Sequence, residues 1–337
     1  ELSFGAGYST SEGIIGDVSI TERNLMGNGQ FLRLKLGGSA DRLQVDLSFT
    51  EPRFLDKNIA AGFDVFHKEL DLTSSSSYKT RRTGFVPRIG FPLSEDLWMS
   101  VNYTISRDEI YDVLPGASLA VQNAVGTALT SSVGLGLRYD TRNHPRNPNK
   151  GIYLSADADF AGLGGDVQYV RVQGEGRAYY PIFEKVTLVG RVVAGHIEGW
   201  GGEDVRLLDV FYRGGETVRG FDKAGFGPRD LGTGDALGGK SYWAANAEVR
   251  FPLPFLSESL GMNGAVFADA GSLFNAAEGA SVPGVLLADD SSVRASVGAS
   301  IIWDSPLGPL RFDYAFPLAK EDYDEIQEFR FGASTRF

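Results

Sequence analysis

Phe31-Leu32-Arg33-Leu34-Lys35-Leu36, followed by Arg42-Leu43-Gln44-Val45-Asp46-Leu47-Ser48-Phe49, decides how this chain is to be read. Leu32, Leu34 and Leu36 share one parity and Phe31, Arg33 and Lys35 the other; Leu43, Val45, Leu47 and Phe49 then alternate with Arg42, Gln44, Asp46 and Ser48. A β-strand places successive side chains on opposite faces, so a wall with lipid on one side and water on the other reads apolar, polar, apolar. The two runs predict a hairpin in such a wall.

The same alternation recurs along the chain. Val170, Val172, Ala178 and Tyr180 oppose Arg171, Gln173, Glu175 and Arg177, and four long polar side chains on one face require water there. Val293, Ala295, Val297, Ala299, Ile301 and Trp303 oppose Arg294, Ser296, Ser300 and Asp304, and the last strand places Phe329, Phe331, Ala333, Thr335 and Phe337 outward. Such segments number about sixteen, the even count of a bacterial outer-membrane barrel. The predicted fold is all-β, a transmembrane antiparallel β-barrel occupying residues 1–337 as one domain. A soluble β-sandwich also alternates, but its apolar face must meet a second sheet. Strands this numerous would require two or more sandwiches, and no linker separates any.

Composition agrees. The 43 glycines and 12% aromatic residues favour turns and strands over helices. No stretch approaches the run of about eighteen uncharged apolar residues needed for a spanning helix, and Val186 to Ile197 is broken by Arg191. Mean hydropathy is -0.12, an average blind to alternation. A formal net charge of -11 argues against a nucleic-acid partner, and the lack of cysteine excludes disulfides and thiolate metal sites. The chain opens at Glu1 without a secretory signal, which is read as a processed or trimmed start.

The longest connection lies at about 202–240 and contains Phe211-Tyr212-Arg213-Gly214-Gly215-Glu216-Thr217-Val218-Arg219-Gly220-Phe221, then Gly225-Phe226-Gly227-Pro228-Arg229-Asp230. Connections are usually only about four to six residues, so this one is expected to serve function, by projecting outward or by folding into the lumen.

Val218-Arg219-Gly220-Phe221, in the loop before the twelfth candidate strand, matches the signature of the barrel-assembly superfamily that includes the BamA family. The 225–230 segment, Asp235-Ala236-Leu237-Gly238-Gly239 leading into Tyr242-Trp243, and the Pro-containing turn from Asp140 to Gly151 resemble the same family, so the resemblance spans essentially the whole chain. It implies a barrel that folds and inserts other β-barrel proteins into the bacterial outer membrane. The implied partners are nascent barrel proteins, accessory periplasmic lipoproteins and outer-membrane lipids. It also implies that the family's periplasmic POTRA repeats are absent from this chain.

In the resembled family the signature arginine is held in the lumen by acids on the next two strands, which here are Glu248 and Asp269. Parity independently points both inward: Glu248 opposes Ala247 and Val249, and Asp269 opposes Ala268 and Ala270. A guanidinium fork suits carboxylates and can fix a loop to a wall. The resemblance further implies a lateral gate between residues 2–9 and 325–337, with Phe4, Gly5, Gly7, Gly332, Ser334 and Phe337 at the seam. Glycine removes side-chain contacts there, and an opened seam would offer its edge for strand addition. The C-terminal pattern of the family is met by Arg330, Gly332 and Phe337, whereas Thr335 departs from it. Related translocation barrels, TamA-like or of two-partner secretion, and a passive porin are the alternatives.

Enzyme chemistry finds little support. His67, His144 and His196 lack a nucleophile elbow or a His-Glu-x-x-His pair. Asp157 and Asp159 share a face, as acids on a wet strand ordinarily do. No catalytic residue, metal ligand or cofactor is expected.

Overall fold

The computed structural model describes residues 1–145, 147–253, 260–305 and 308–332. Among these, sixteen strands form one closed antiparallel barrel. They are β1 (Leu2–Ser9), β2 (Gly13–Leu25), β3 (Gln30–Gly38), β4 (Arg42–Glu51), β5 (Ala60–Asp71), β6 (Lys79–Pro92), β7 (Leu97–Tyr111) and β8 (Gly126–Asp140). There follow β9 (Gly151–Ala161), β10 (Tyr169–Phe183), β11 (Val186–Gly199), β12 (Ser241–Pro252), β13 (Met262–Phe274), β14 (Arg294–Ser305), β15 (Gly308–Ala319) and β16 (Phe329–Gly332).

The predicted hairpin is β3 and β4, in a register that sets Leu34 opposite Leu47 and Lys35 opposite Asp46. Side chains of one parity stay on one face across the pair because the strand period is two. The outer face therefore carries the apolar set: Phe4 is 75% exposed and Ile14 76%, with Leu36, Val172 and Val192 also exposed. A water-soluble monomer rarely shows contiguous apolar surface of this kind, whereas lipid covers it without cost. No helix among the described residues is long and apolar enough to cross a membrane. The crossing elements are the strands.

The polar parity lines a lumen containing a cavity of about 1180 Å³, bordered by Arg33, Lys35, Asp46, Arg191, Glu248 and Asp313 among others. The chain's buried apolar residues are gathered chiefly where loops fold inward. One cluster joins Val193, Ile197, Phe211, Val218, Phe221, Phe226, Tyr242 and Leu273 inside the barrel. A second joins Tyr78, Ile110, Val121, Leu207, Leu237 and Ala280, from strand ends and loops, into a cap. The 200–240 connection contributes to both, so of the two courses open to it the chain takes the inward one.

Candidate functional site: the loop anchored in the lumen

The signature tetrapeptide sits on a tight turn. The Val218 backbone amide donates to the Gly214 carbonyl at 3.0 Å, and the Asn246 side-chain Nδ2 on β12 donates to the Thr217 carbonyl at 2.8 Å. Val218 and Phe221 have no exposed surface, and Phe221 packs edge-on against Phe226 at 5.4 Å between ring centroids. Gly220 has φ of +94°, and a Cβ there would lie 3.3 Å from both Ala315 and Pro317. Only glycine takes that backbone without strain while lying so close to the wall.

Arg219 is held by two strands. Its Nε and Nη2 donate to the two carboxylate oxygens of Asp269, each at 2.7 Å, and its backbone amide donates to the same carboxylate at 3.0 Å. Nη1 donates to Glu248 at 2.7 Å, and the guanidinium stacks on the Phe267 ring at 3.4 Å. Glu248 and Asp269 are 5% and 3% exposed, so water competes little for these bonds. Burial disfavours the charge on Arg219, but the hydrogen bonds and charge of Asp269, with those of Glu248, outweigh it and raise its proton affinity above the ordinary arginine value.

Arg250, Arg311 and Asp313 complete the network. Glu248 also accepts from Arg311 Nη2 at 2.6 Å and from Arg250 Nε at 2.7 Å. Arg311 Nε donates to Asp313 at 2.8 Å, and Asp313 lies 3.9 Å from Arg219. Arg219, Arg250 and Arg311 thus face Glu248, Asp269 and Asp313, a balanced set that removes most of the penalty for burying any one charge. Arg250 shares the inward parity of Glu248, and Arg311 and Asp313 alternate with Phe312 and Tyr314, so an inward orientation was legible. The pairing of Arg311 with Glu248 was not, because β12 and β15 are not neighbours in the sheet.

At the seam the structure gives the following. Phe4 is exposed on the outer wall and pairs with Val18 of β2; Gly5 pairs with Asp17 and Gly7 with Ile15. A Cβ on Gly5 would fall 2.6 Å from an Asp17 carboxylate oxygen, so this glycine makes room for an acid of the neighbouring strand. Gly332 lies between Ser9 of β1 and Arg311 of β15. The Thr10 amide donates to the Phe331 carbonyl at 3.0 Å, and the Phe331 amide donates to Thr10 Oγ1 at 3.2 Å. Ser334 and Phe337 lie outside the described residues, as does Thr335.

Of the histidines, His67 bonds Thr83 and His196 bonds Ser241, each through Nδ1. Asp157 receives Arg138 at 2.7 Å. Among the described residues no group of three or more histidine, cysteine, aspartate or glutamate side chains is placed to hold a metal ion.

Residues 24–337 match the model of the Omp85 superfamily domain. The chain is 31% identical over 337 residues to the outer membrane protein assembly factor BamA of Neorickettsia risticii, covering all of this chain and 45% of that protein. The chain thus spans less than half the length of that relative. Its structure superposes on that of BamA from Haemophilus ducreyi lacking POTRA domains 1-3 with a TM-score of 0.88 and 25% identity, over 98% of this chain and 69% of that one. CdiB from Acinetobacter baumannii shares the fold, with a TM-score of 0.61 at 14% identity over 98% of this chain and 58% of that one. With a closed sixteen-stranded barrel whose apolar face is outside and whose signature loop is seated in the lumen, the chain belongs to the Omp85 superfamily and is an integral β-barrel of the BamA type in the bacterial outer membrane.

Proposed function

We propose that this barrel folds and inserts β-barrel proteins into the outer membrane through a lateral gate between β1 and β16. The observation that carries the reading is the place where the barrel closes: Ser9 faces Gly332, and both line the lumen cavity beneath the anchored loop. A strand pair that separates exposes unpaired amides and carbonyls, a template to which an incoming strand can add. The clients are nascent outer-membrane barrel proteins, and accessory periplasmic lipoproteins and outer-membrane lipids are the further partners of the same reading. Phe4, Gly5, Gly7, Gly332, Ser334 and Phe337 are assigned to the seam. Val218, Arg219, Gly220 and Phe221, with Glu248 and Asp269, are assigned to anchoring the loop. Relatives that carry the name of assembly factor support this reading over a passive pore.

The barrel itself contains no cysteine, so a pair introduced at the seam has no competing thiol within these 337 residues, and any cysteine elsewhere in the parent protein is first replaced by serine. Directly opposed antiparallel residues have Cα atoms about 4.5–5.5 Å apart, within disulfide range. Ser9→Cys with Gly332→Cys, in the full-length parent protein, is expected to stop client insertion on oxidation and to restore it on reduction. A verified lock that leaves insertion at the parent rate would exclude the gate and favour a pore or scaffold.

A further inference from the structure

Residues 324–327, just before β16, touch three other parts of the molecule. The Asp324 side chain is fully buried and accepts from Arg294 Nε at 2.9 Å and Nη2 at 3.1 Å, at the start of β14. Glu325 exchanges backbone hydrogen bonds with the long loop. The Asp222 amide donates to its carbonyl at 2.9 Å, and its own amide donates to the Gly225 carbonyl at 2.8 Å. Its carboxylate pairs with Arg229 of the Gly-Phe-Gly-Pro-Arg-Asp segment. Ile326 and Gln327 then form an antiparallel pair with Phe221 and Gly220, the second half of the signature. Two residues on, Phe329 enters β16 opposite Tyr314.

Backbone thus runs without interruption from Arg219, seated on Asp269, into a two-residue strand that is hydrogen-bonded to the approach of the terminal strand. Arg229 is 3% exposed; its Nη1 and Nη2 also donate to the carbonyls of Gly234 and Ala224, and among the described residues its buried Nε makes no hydrogen bond and Glu325 is its carboxylate partner. A buried guanidinium deprived of its carboxylate loses more than one deprived of a neutral acceptor.

We infer that Glu325 is a positioning residue which, through Arg229 and the pairing of Gly220 and Phe221 with Ile326 and Gln327, transmits the seating of the long loop to the seam strand β16. Loop and strand then move as one body: the loop leaves its seat on Asp269 only by drawing the entry of β16 with it, and a change at the seam is felt at the signature. The consequence for client insertion rests on the gate reading, whereas the coupling itself does not.

The pair Ser9→Cys and Gly332→Cys, in the full-length parent protein in outer-membrane vesicles, reports seam closure as the extent of disulfide formed under fixed oxidation. Glu325→Gln, and Arg229→Gln from the loop side, are each expected to change that extent by about fivefold. Glu325→Arg combined with Arg229→Glu is expected to restore it, a rescue that general destabilisation does not produce. Parent-like extents in both single variants overturn the inference. If neither variant folds, amide hydrogen exchange of the unaltered protein decides. Exchange of Asp222, Glu325 and Phe329–Gly332 as one cooperative unit upholds the coupling, and independent exchange of β16 overturns it. Client insertion in the same vesicles separates the two readings: altered seam closure with unchanged insertion keeps the coupling and removes the gate.

Discussion

Arg219 and Asp269 are joined by three hydrogen bonds, two from the guanidinium fork at 2.7 Å and one from the Arg219 backbone amide at 3.0 Å. The backbone bond fixes the loop itself, and the fork fixes the side chain, so the tip of a long connection is held at one point on β13. Ordering such a loop costs conformational entropy, and a paired, desolvated charge is one of few contacts strong enough to offset it.

Arg219→Lys keeps the charge and loses the fork. It is expected to leave the barrel folded while making the 200–240 segment more susceptible to protease added outside intact cells. Arg219→Ala is expected to do so more strongly, and to lower stability by about 3–5 kcal/mol in urea unfolding, because two buried carboxylates lose a partner. Protection equal to the parent in both variants would show that the apolar cluster around Val218 and Phe221 holds the loop unaided.

Glu248 is the shared acceptor of Arg219, Arg250 and Arg311. Glu248→Gln is expected to lower the temperature at which the barrel loses its heat-resistant gel mobility by more than Arg250→Gln does. The first leaves the local charge unbalanced in a buried place, while the Arg250 side chain is 27% exposed and costs about 1 kcal/mol. The reverse order would mean that the network is wetter than its burial indicates.

Gly220→Ala places a methyl group on a backbone with φ of +94° against Ala315 and Pro317. A cost of about 1–3 kcal/mol is expected, together with loosened packing of Phe221, read as faster amide exchange at Phe221 and Gln327. Exchange rates at those two amides identical to the parent would remove the strain argument.

Arg294 and Asp324 are both fully buried in side chain. Asp324→Asn is expected to cost about 3–5 kcal/mol, and Arg294→Met with Asp324→Leu to recover most of it, since breaking a buried pair is worse than replacing it. Unfolding midpoints of the three proteins decide; a double variant no better than the single one would show that the bonds of Arg294 to Asp290 and Tyr323 matter more.

Asp290, in the loop before β14, has its carboxyl brought down to about 2: burial works upward, but Ser292, Tyr323 and Arg294 together outweigh it. A depressed acid stabilises the fold fully above its ordinary value of 3.8 and loses that contribution as pH falls through about 2. The difference in thermal midpoint between parent and Asp290→Asn is therefore expected to hold constant above about pH 4 and to close towards about pH 2. A difference that persists unchanged at the acid end counts against a stabilising role for the contacts of the Asp290 carboxylate with Ser292, Tyr323 and Arg294.

The sequence by itself determined which side of the wall each strand residue occupies. Leu34 and Leu36 against Arg33 and Lys35 is a local pattern of period two, and any strand obeying it presents an apolar and a polar face on opposite sides. It also determined that Arg219 and Gly220 stand together inside a long connection, and that Glu248 and Asp269 point inward. Beyond the contacts of Arg219 with Glu248 and Asp269, which the family resemblance implied, only the tertiary structure decided which inward groups meet. Arg311 reaches Glu248 across the lumen because barrel curvature brings β12 and β15 near each other, a relation without any sequence period. The pairing of Gly220 and Phe221 with Ile326 and Gln327, and the burial of Arg294 on Asp324, depend on the path the loops take once the barrel has closed. The short, polar-looking stretch 324–327 carries no alternation long enough to announce itself. Periodicity reports a residue's own face, whereas contacts between distant segments are set by register and closure, which belong to the whole sheet.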